Sequence, residues 1–158
     1  MENQNPQIWI KNRQKQVEIN PHLIRRILKG ILAELELKNP EISILLLDDP
    51  QIRALNREYR EKDKPTDVLS FPMLDETSGK IQPQLLGDIV ISVETAEKQA
   101  HNRKSALYKE LCILLIHGML HLLGYDHERS KKDEKEMQKQ EAKIFEGIIK
   151  DKKIKDVV

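Results

Sequence analysis

The sequence is poor in cysteine, aromatic residues, long apolar runs and net charge. Cys112 is the only cysteine, so no disulfide can form within the chain, and its position in the apolar run LCILLIH is typical of a buried thiol in a reducing cytosol. No apolar run approaches the roughly 20 residues that span a bilayer, and the start MENQNPQIWIKNRQKQ lacks the apolar core of a signal peptide. The sequence therefore predicts a cytoplasmic protein without a membrane segment.

The small net charge excludes a chain that binds polyanions along its whole length. Its formal value is +1, from 27 Lys+Arg and 26 Asp+Glu residues, so any contact with nucleic acid must use locally concentrated charge. What the sequence does have is 39% hydrophobic residues arranged in blocks, which is above the range of disordered chains. Because it has 158 residues and neither an internal repeat nor a low-complexity linker, we expect residues 1–158 to form a single domain.

Hydrophobic periodicity predicts four strands and five helices. The strands are predicted at Gln7–Asn12, Glu41–Asp49, Thr66–Pro72 and Leu86–Glu94. The helices are predicted from Pro21 (capped by Asn20) to about Asn39, from Asp49 to about Tyr59, from Glu94 to about His101, over Ser105–Leu123, and from about Lys131 to Ile149. The order βαβαββααα indicates an α+β fold, a small mixed four-stranded sheet packed against about five helices, and leaves the strand order open. The continuous apolar run EISILLLDD predicts that the second strand is covered on both faces.

The most apolar stretch, LCILLIHGMLHLLGYDHE (Leu111–Glu128), holds three of the five histidines. Residues four apart in a helix lie about 40° apart around its axis, so His117 and His121 point the same way from the predicted helix. Gly124, directly after the helix, can take the left-handed conformation that turns the chain back, which would bring His127 to face the other two. Three converging imidazoles leave a tetrahedral cation one open position, which for zinc is the catalytic type of site.

The alternative is that each histidine is satisfied separately in the core, without a metal. The same spacing occurs in the metzincin zinc proteases, whose motif has a glutamate directly after the first histidine as general base. Gly118 stands at that position here, so the pattern favours a metzincin-like zinc site on a central helix but disfavours peptide hydrolysis. A cation held by three neutral imidazoles keeps its double positive charge and favours an anionic ligand such as a phosphate oxygen.

The segment Arg53–Lys64 (RALNREYREKDK) has a local excess of positive charge, with five basic and three acidic residues. Arg57 and Arg60 are three apart, so they can share a helix end and bind a phosphate; the alternative is a solvated helix face. Tyr59 and Tyr125 could stack on bases, and core packing is equally compatible with either.

Three aspartates are candidates to accept a hydrogen bond from the N–H of a metal-binding histidine, on the ring nitrogen that does not bind the metal, or to line the site. Asp126 adjoins His127 and either fills that role or stabilises the turn. Asp88 reaches the site only if its strand lies beside the histidine helix. Asp67 either caps a turn or lines a groove. No residue stands out as a general base.

Three blocks of the sequence together resemble the YbeY family of bacterial metal-dependent endoribonucleases, which act as rRNA maturation factors. The blocks are YREKDKPTDVLSFP (Tyr59–Pro72), LGDIVIS (Leu86–Ser92) and HGMLHLLGYDH (His117–His127). They occur in the family order over about Ile42 to His127, and Gly118 belongs to the family pattern. The N-terminal forty residues and the Lys-rich C-terminal helix carry no matching signature.

The resemblance implies one zinc ion per chain, held by His117, His121 and His127, and hydrolysis of single-stranded RNA, with Arg60 needed for activity. It also implies a role in rRNA processing, notably maturation of the 3′ end of 16S rRNA, and in ribosome quality control. The implied partners are rRNA, the small ribosomal subunit and the GTPase Era.

Two routes of cleavage remain open. In one, the cation lowers the pKa of a water that attacks the phosphate; in the other, the neighbouring 2′-OH attacks while the cation and Arg60 stabilise the developing charge. Two rival functions also remain open: a zinc protease, and a non-enzymatic ribosome-assembly factor in which the metal only fixes the last helix to the domain.

Overall fold

The computed structural model describes residues 5–73, 85–125 and 130–158. Within these ranges the strands are β1 (Gln7–Asn12), β2 (Glu41–Leu47), β3 (Val68–Pro72) and β4 (Leu85–Ser92). The helices are α1 (Pro21–Glu34), α2 (Asp49–Arg60), α3 (Val93–Asn102), α4 (Leu107–Leu122), α5 (Lys131–Ile148) and α6 (Lys152–Lys155). The predicted α+β fold and its element order are confirmed, and the structure adds α6 as a short helix after α5.

One sheet contains the four strands, in the order β1-β2-β4-β3. β1, β2 and β4 run parallel, whereas β3 pairs antiparallel with β4, so the predicted mixed sheet is confirmed. Ile44 pairs with Ile10 on one side and with Ile89 on the other, which places these three residues on one face. The parallel pairing of β1 and β2 needs a long crossover connection, and α1 supplies it.

The main core lies between one face of the sheet and helices α1, α4 and α5. Alternate strand residues point into it, including Ile42 and Ile44 of β2 and Ile89 and Ile91 of β4. α4 is buried on several sides rather than along one stripe, which makes the histidine helix the central helix of the domain. Although α4 is very apolar, no single helix within the described ranges is both long and apolar enough to cross a membrane.

The opposite face of the sheet is only partly covered. α2 packs there through its residue Ile52, which forms a small cluster with Leu47, Leu69 and Val90. Leu45 of β2 remains partly exposed on this face, so the prediction that the second strand is covered on both faces holds at Leu47 but not along the whole strand. The reason is that α2 has only 12 residues and covers only part of this face.

Side-chain caps fix where the helices begin. The Asn20 side chain accepts a hydrogen bond from the His22 N–H at 3.0 Å, as expected for the predicted cap of α1. At α2 the cap is Asp48, whose carboxylate accepts from the Gln51 N–H while the Gln51 side chain accepts from the Asp48 N–H, both at 3.0 Å. This capping box leaves the carboxylate of Asp49 available for contacts with another helix.

Candidate metal centre and its cleft

The C-terminal half of α4 carries His117 and His121 four residues apart, and the structure brings their rings together. The two Nε2 atoms lie 3.0 Å apart and the ring centroids 4.6 Å apart. Helical spacing accounts for the shared face, and both side chains are partly exposed where α4 borders a cleft. The same nitrogen of each ring therefore lies where the two side chains meet.

This pair has the spacing of two ligands of one cation. Two zinc–nitrogen bonds of about 2.0–2.1 Å at a tetrahedral angle would separate the nitrogens by roughly 3.3 Å, and the observed separation of 3.0 Å is close to that. The third predicted ligand, His127, lies outside the described residues, as does its neighbour Asp126. Within the described ranges, no three His, Cys, Asp or Glu side chains are grouped so as to hold an ion. The three-histidine zinc site therefore stays a prediction, with two of its members placed.

The chain turns back after α4 through a Schellman motif. Gly124 has φ +97°, the left-handed conformation that the sequence predicts for it. Its N–H donates to the His121 carbonyl at 3.0 Å, and the Tyr125 N–H donates to the Leu120 carbonyl at 3.0 Å. Tyr125 packs against the main core, which favours the packing role for this residue over base stacking.

A cleft of about 540 Å³ opens beside the two histidines. It is lined by Asn56, Arg60, Lys62, Lys64, Thr66, Asp67, Val68, Leu69, Ser70, Pro72, His117 and His121. Arg60 is the last residue of α2, and its Nη2 donates to the Ser70 carbonyl at 3.3 Å. Three cationic side chains and one carboxylate line this cleft, so it favours anions.

The loop after α2 places the two lysines. Glu61 has φ +58° and ends the helix, and the Lys62 N–H donates to the Asn56 carbonyl at 3.2 Å. The Asn56 side chain, which is only 3% exposed, donates to the Lys64 carbonyl at 2.9 Å. The positive charge of this segment is visible in the sequence, but the shape that directs both lysines to the cleft depends on a buried asparagine that the charge pattern does not reveal.

Gly118 faces the sheet rather than the cleft. Its carbonyl accepts a hydrogen bond from the Ser70 hydroxyl at 3.1 Å. A Cβ added at this position would lie 3.0 Å from Ile89 Cγ2 and 3.2 Å from Ser70 Oγ, closer than ordinary van der Waals contact. A glutamate here, the general base of the metzincin proteases, would press its Cβ against Ile89 and Ser70. The structure thus argues against the protease alternative.

Asp67 takes the groove-lining role of the two that were open for it. It lines the cleft, and its carboxylate accepts hydrogen bonds from the Val68 N–H at 2.8 Å and from the Gln99 side chain at 3.3 Å. Its carbonyl accepts from the Ser92 N–H at 2.9 Å. These bonds tie the start of β3 to β4 and α3, so the carboxylate is held in place at the cleft wall.

Three of the candidate residues lie away from the histidine cleft. Asp88 pairs with Phe71 on the α2 face of the sheet, opposite to Ile89, so the structure does not bring it to the histidines. Arg57 lines a separate groove along α2. Tyr59 is 59% exposed and contacts Phe71 edge to face, with ring centroids 5.4 Å apart. Arg60 is therefore the arginine of α2 that lines the cleft with the histidines.

The second ring nitrogen of His117 faces a carboxylate that the motifs do not reveal. His117 Nδ1 lies 3.5 Å from Glu141 Oε1 of α5, and the two side chains are 27% and 26% exposed. Charged residues of a Lys/Glu-rich helix usually face solvent, so the sequence motifs do not single out Glu141 as a site residue. The available signal is its spacing, because it lies four residues after the buried Met137 and three before the buried Ile144.

Asp49 ties the start of α2 to α3. Its carboxylate accepts hydrogen bonds from the Ser92 hydroxyl at 2.6 Å, from the Thr95 hydroxyl and from the Lys98 ammonium at 3.0 Å. Burial by itself raises the pKa of Asp49, but these hydrogen bonds and the charge of Lys98 together outweigh burial and hold the pKa below its ordinary value of 3.8. These contacts anchor the start of the helix whose last residue is Arg60.

An α+β domain in which imidazoles, an arginine and lysines line one cleft has the features of metal-site hydrolases that act on anionic substrates. Comparison with known protein families narrows this class. The family model described as Endoribonuclease YbeY matches residues 9–149, which is most of the chain. The chain belongs to the YbeY endoribonuclease family.

Individual relatives are similar over most of their length. The Endoribonuclease YbeY of Sulfurihydrogenibium sp. (strain YO3AOP1) is 50% identical over 131 residues, which are 83% of this chain and 85% of that protein. The Endoribonuclease YbeY of Syntrophotalea carbinolica is 42% identical over 142 residues, 89% of this chain and 95% of that protein. The solution structure of TM1509 from Thermotoga maritima is 29% identical and superimposes with a TM-score of 0.63, covering 89% of this chain and 88% of that one.

Proposed function

We propose that this chain is a zinc-dependent endoribonuclease that hydrolyses single-stranded RNA in the cleft beside His117 and His121. The observation that carries the proposal is that one cleft is lined both by the converging histidine pair and by Arg60. Membership of a family described as endoribonucleases supports the same function. Cleavage of a phosphodiester needs positive charge around the phosphate, and these side chains supply it.

The proposed metal ligands are His117, His121 and His127. The first two present Nε2 atoms that lie 3.0 Å apart, and the third is included because of the sequence motif. When bound, the ion would supply a Lewis-acid centre with a coordination position left open for chemistry. The buried apolar residues of α4 hold the helix backbone that carries both imidazoles against the rest of the core.

Arg60 is proposed to bind the phosphate at the scissile bond. Its guanidinium is planar and presents several donors in a fork that matches phosphate oxygens. One donor is used by the 3.3 Å hydrogen bond to the Ser70 carbonyl, which orients the group along the cleft. In this position the guanidinium of Arg60 stabilises the additional negative charge that develops on the phosphate during attack.

Lys62 and Lys64 are proposed to bind phosphates of the flanking nucleotides. Both line the cleft, and the hydrogen bond from Asn56 fixes their loop. Contacts of this type position an RNA strand without reading its sequence. A cleft of about 540 Å³ is in the size range of small-ligand sites, which suits a nucleotide of a single strand rather than a duplex.

The cellular substrate is proposed to be rRNA. On this view the chain acts in the bacterial cytoplasm on the small ribosomal subunit, where it matures the 3′ end of 16S rRNA and contributes to quality control, with the GTPase Era as a partner. The motif blocks around Arg60 and His117 support this, and the buried Cys112 is compatible with a reducing compartment. Mapping of 16S rRNA 3′ ends in a strain that depends on this chain tests it, since unprocessed ends should accumulate when Arg60→Ala replaces the wild type.

The chemistry of the product ends distinguishes the two routes of cleavage. Attack by the neighbouring 2′-OH leaves a 2′,3′-cyclic phosphate, whereas attack by water does not. A substrate with a single 2′-deoxy sugar at the cut position separates the routes, because only attack by water tolerates that change.

The central test compares cleavage of a labelled single-stranded RNA, and zinc content, for four proteins: wild type, His121→Ala, Arg60→Ala and Lys109→Ala. His121→Ala should lose zinc and activity together. Arg60→Ala should keep its zinc but cleave about 10²–10³-fold more slowly, because it removes a group that stabilises charge in the transition state. Lys109, an exposed cation at the other end of α4, is the matched control and should leave the rate unchanged.

Two results would contradict the proposal. One is wild-type cleavage by Arg60→Ala with normal zinc content. The other is hydrolysis of a protein substrate such as casein, lost in His121→Ala, without any cleavage of RNA.

A further inference from the structure

We propose that Glu141 of α5 is a positioning residue that orients His117 for metal binding. This inference rests on the proposed function, because it assumes that His117 holds the ion. The observation is that the two nitrogens of one imidazole face different partners. Nδ1 lies 3.5 Å from Glu141 Oε1, whereas Nε2 lies 3.0 Å from Nε2 of His121.

The chemistry of a neutral imidazole gives this arrangement its meaning. Such a ring carries one N–H, and a carboxylate can only accept hydrogen bonds. A carboxylate beside Nδ1 therefore favours the tautomer in which Nδ1 holds the proton. The lone pair then lies on Nε2, at the side of the ring that faces His121. Histidines that bind metals commonly use their other N–H in this way, which raises the basicity of the ligating nitrogen.

The position of Glu141 in its helix supports a specific role. The buried side chains of α5 are Met137, Ile144 and Ile148, and Glu141 lies on the same face because it is four residues from the first and three from the second. A carboxylate on the inward face of an amphipathic helix loses hydration and needs a compensating partner. The other glutamates of α5, at positions 134, 136 and 146, are exposed.

The packing of α5 holds this carboxylate in place. Ser130 caps the helix by accepting a hydrogen bond from the Asp133 N–H at 3.1 Å. At the other end α1 approaches closely, since a Cβ added to Gly30 would lie 3.1 Å from Ile148 Cγ2. α5 also contacts α4 directly. Glu141 therefore lies on a helix that is capped at its start and packed against α1 near its end. A carboxylate held in this way can orient the imidazole ring of His117.

The test is the affinity for zinc, measured on the full chain after metal removal by competition with a chromophoric chelator. Glu141→Ala should weaken zinc binding by about 10–100-fold, the usual effect of removing such a partner. Glu141→Gln should fall between Glu141→Ala and wild type, since its amide oxygen still accepts from Nδ1–H but carries no charge. Glu136→Ala, on the exposed face of the same helix, is the matched control and should bind zinc like wild type.

A second readout reports the tautomer directly. A long-range ¹H–¹⁵N spectrum of the metal-free protein, in which either nitrogen of the neutral ring can carry the proton, should show it on Nδ1 of His117 in the wild type and a larger share of the Nε2–H tautomer in Glu141→Gln. Circular dichroism shows whether each variant is folded, and Glu141→Gln keeps the test meaningful if Glu141→Ala does not fold.

The outcomes separate this inference from the proposed function. If wild type binds zinc and His121→Ala does not, but Glu141→Ala and Glu141→Gln both bind within threefold of wild type, Glu141 has no positioning role and the proposed function stands. If wild type binds no zinc, or if His121→Ala binds as tightly as wild type, the proposed metal site is wrong and this inference falls with it.

Discussion

At the scale of single residues, Gly118 lies where the histidine helix packs tightly against the sheet. A methyl group there would lie 3.0 Å from Ile89 Cγ2. Overpacking of a tight core costs roughly 1–3 kcal/mol, whereas replacing glycine by alanine inside a helix gains about 1 kcal/mol. We therefore expect Gly118→Ala to lower the free energy of unfolding by about 1 kcal/mol, measured by urea denaturation. A variant more stable than wild type would show that the side chains of Ile89 and Ser70 move aside at little cost.

Gly124 is sensitive for a different reason. A Cβ there would meet nothing within 4 Å, but the residue has φ +97°. Left-handed backbone costs other residues roughly 1–2 kcal/mol, and asparagine somewhat less. Gly124→Ala should accordingly lower the free energy of unfolding by that amount and Gly124→Asn by less. Equal costs for the two variants in urea denaturation would mean that the turn relaxes instead of keeping its conformation.

Cys112 is buried in α4, and burial raises the pKa of its thiol to about 12. Because thiol reagents attack the thiolate, the folded protein should react very slowly at about pH 8 and rapidly once unfolded in denaturant. The rate of reaction with a disulfide reagent measures this. Fast reaction of the folded protein, at the rate of a free thiol, would show that α4 opens readily.

At the scale of secondary-structure elements, the stability of α2 is predicted to depend on pH through Asp49. The folded-state pKa of this carboxyl is lowered, so its stabilising effect is fully present above 3.8 and is lost as the pH falls through the lower folded-state value. Hydrogen bonds to a charged group contribute about 1.5–3 kcal/mol. Asp49→Asn should therefore destabilise the protein by about that amount at about pH 7, and the difference from wild type should shrink in acid.

Urea denaturation of both proteins between about pH 7 and pH 3 measures this difference. Asp156→Asn is the control, since Asp156 is exposed near the end of the chain and should change stability little at any pH. A difference for Asp49→Asn that stays constant down to low pH would indicate that the charge of this carboxylate is unimportant for anchoring α2.

At the scale of the whole molecule, zinc should stabilise the fold. A ligand present at about a hundred times its dissociation constant adds roughly 2.7 kcal/mol, which for a chain of this size corresponds to about 5–10 °C in melting temperature. Zinc should therefore raise the melting temperature of wild type but not of His121→Ala. His22, exposed at the start of α1, provides the control His22→Ala, which should respond like wild type. A rise in all three proteins would place the stabilising zinc elsewhere.

Much of the architecture follows from local patterns in the sequence. The cap at Asn20, the left-handed Gly124 and the shared face of His117 and His121 each depend on residues within a few positions of one another. Interactions of this range are set by helix geometry and backbone sterics, so the pattern predicts them directly. The three-block resemblance to the YbeY family was confirmed by the match over residues 9–149.

Other features were decided by the strand order, which the sequence left open. Once β4 lies between β2 and β3, strand alternation fixes which side chains face the histidine helix. Ile89 then packs under α4 while its neighbour Asp88 faces the α2 side, away from the two histidines. The incomplete cover of β2 has the same origin, because a run of apolar residues does not reveal how far a short helix extends over it.

The sequence by itself determined the histidine motif, the class of fold and the family. Only the tertiary structure decided that Arg60 lines the histidine cleft, that Arg57 does not, and that the Glu141 carboxylate lies beside Nδ1 of His117. The physical reason is range: positions within one helix are fixed by a 3.6-residue period, whereas contacts between α2, α4 and α5 depend on how whole elements pack. Side-chain identity sets what each group can do, and packing sets which groups meet.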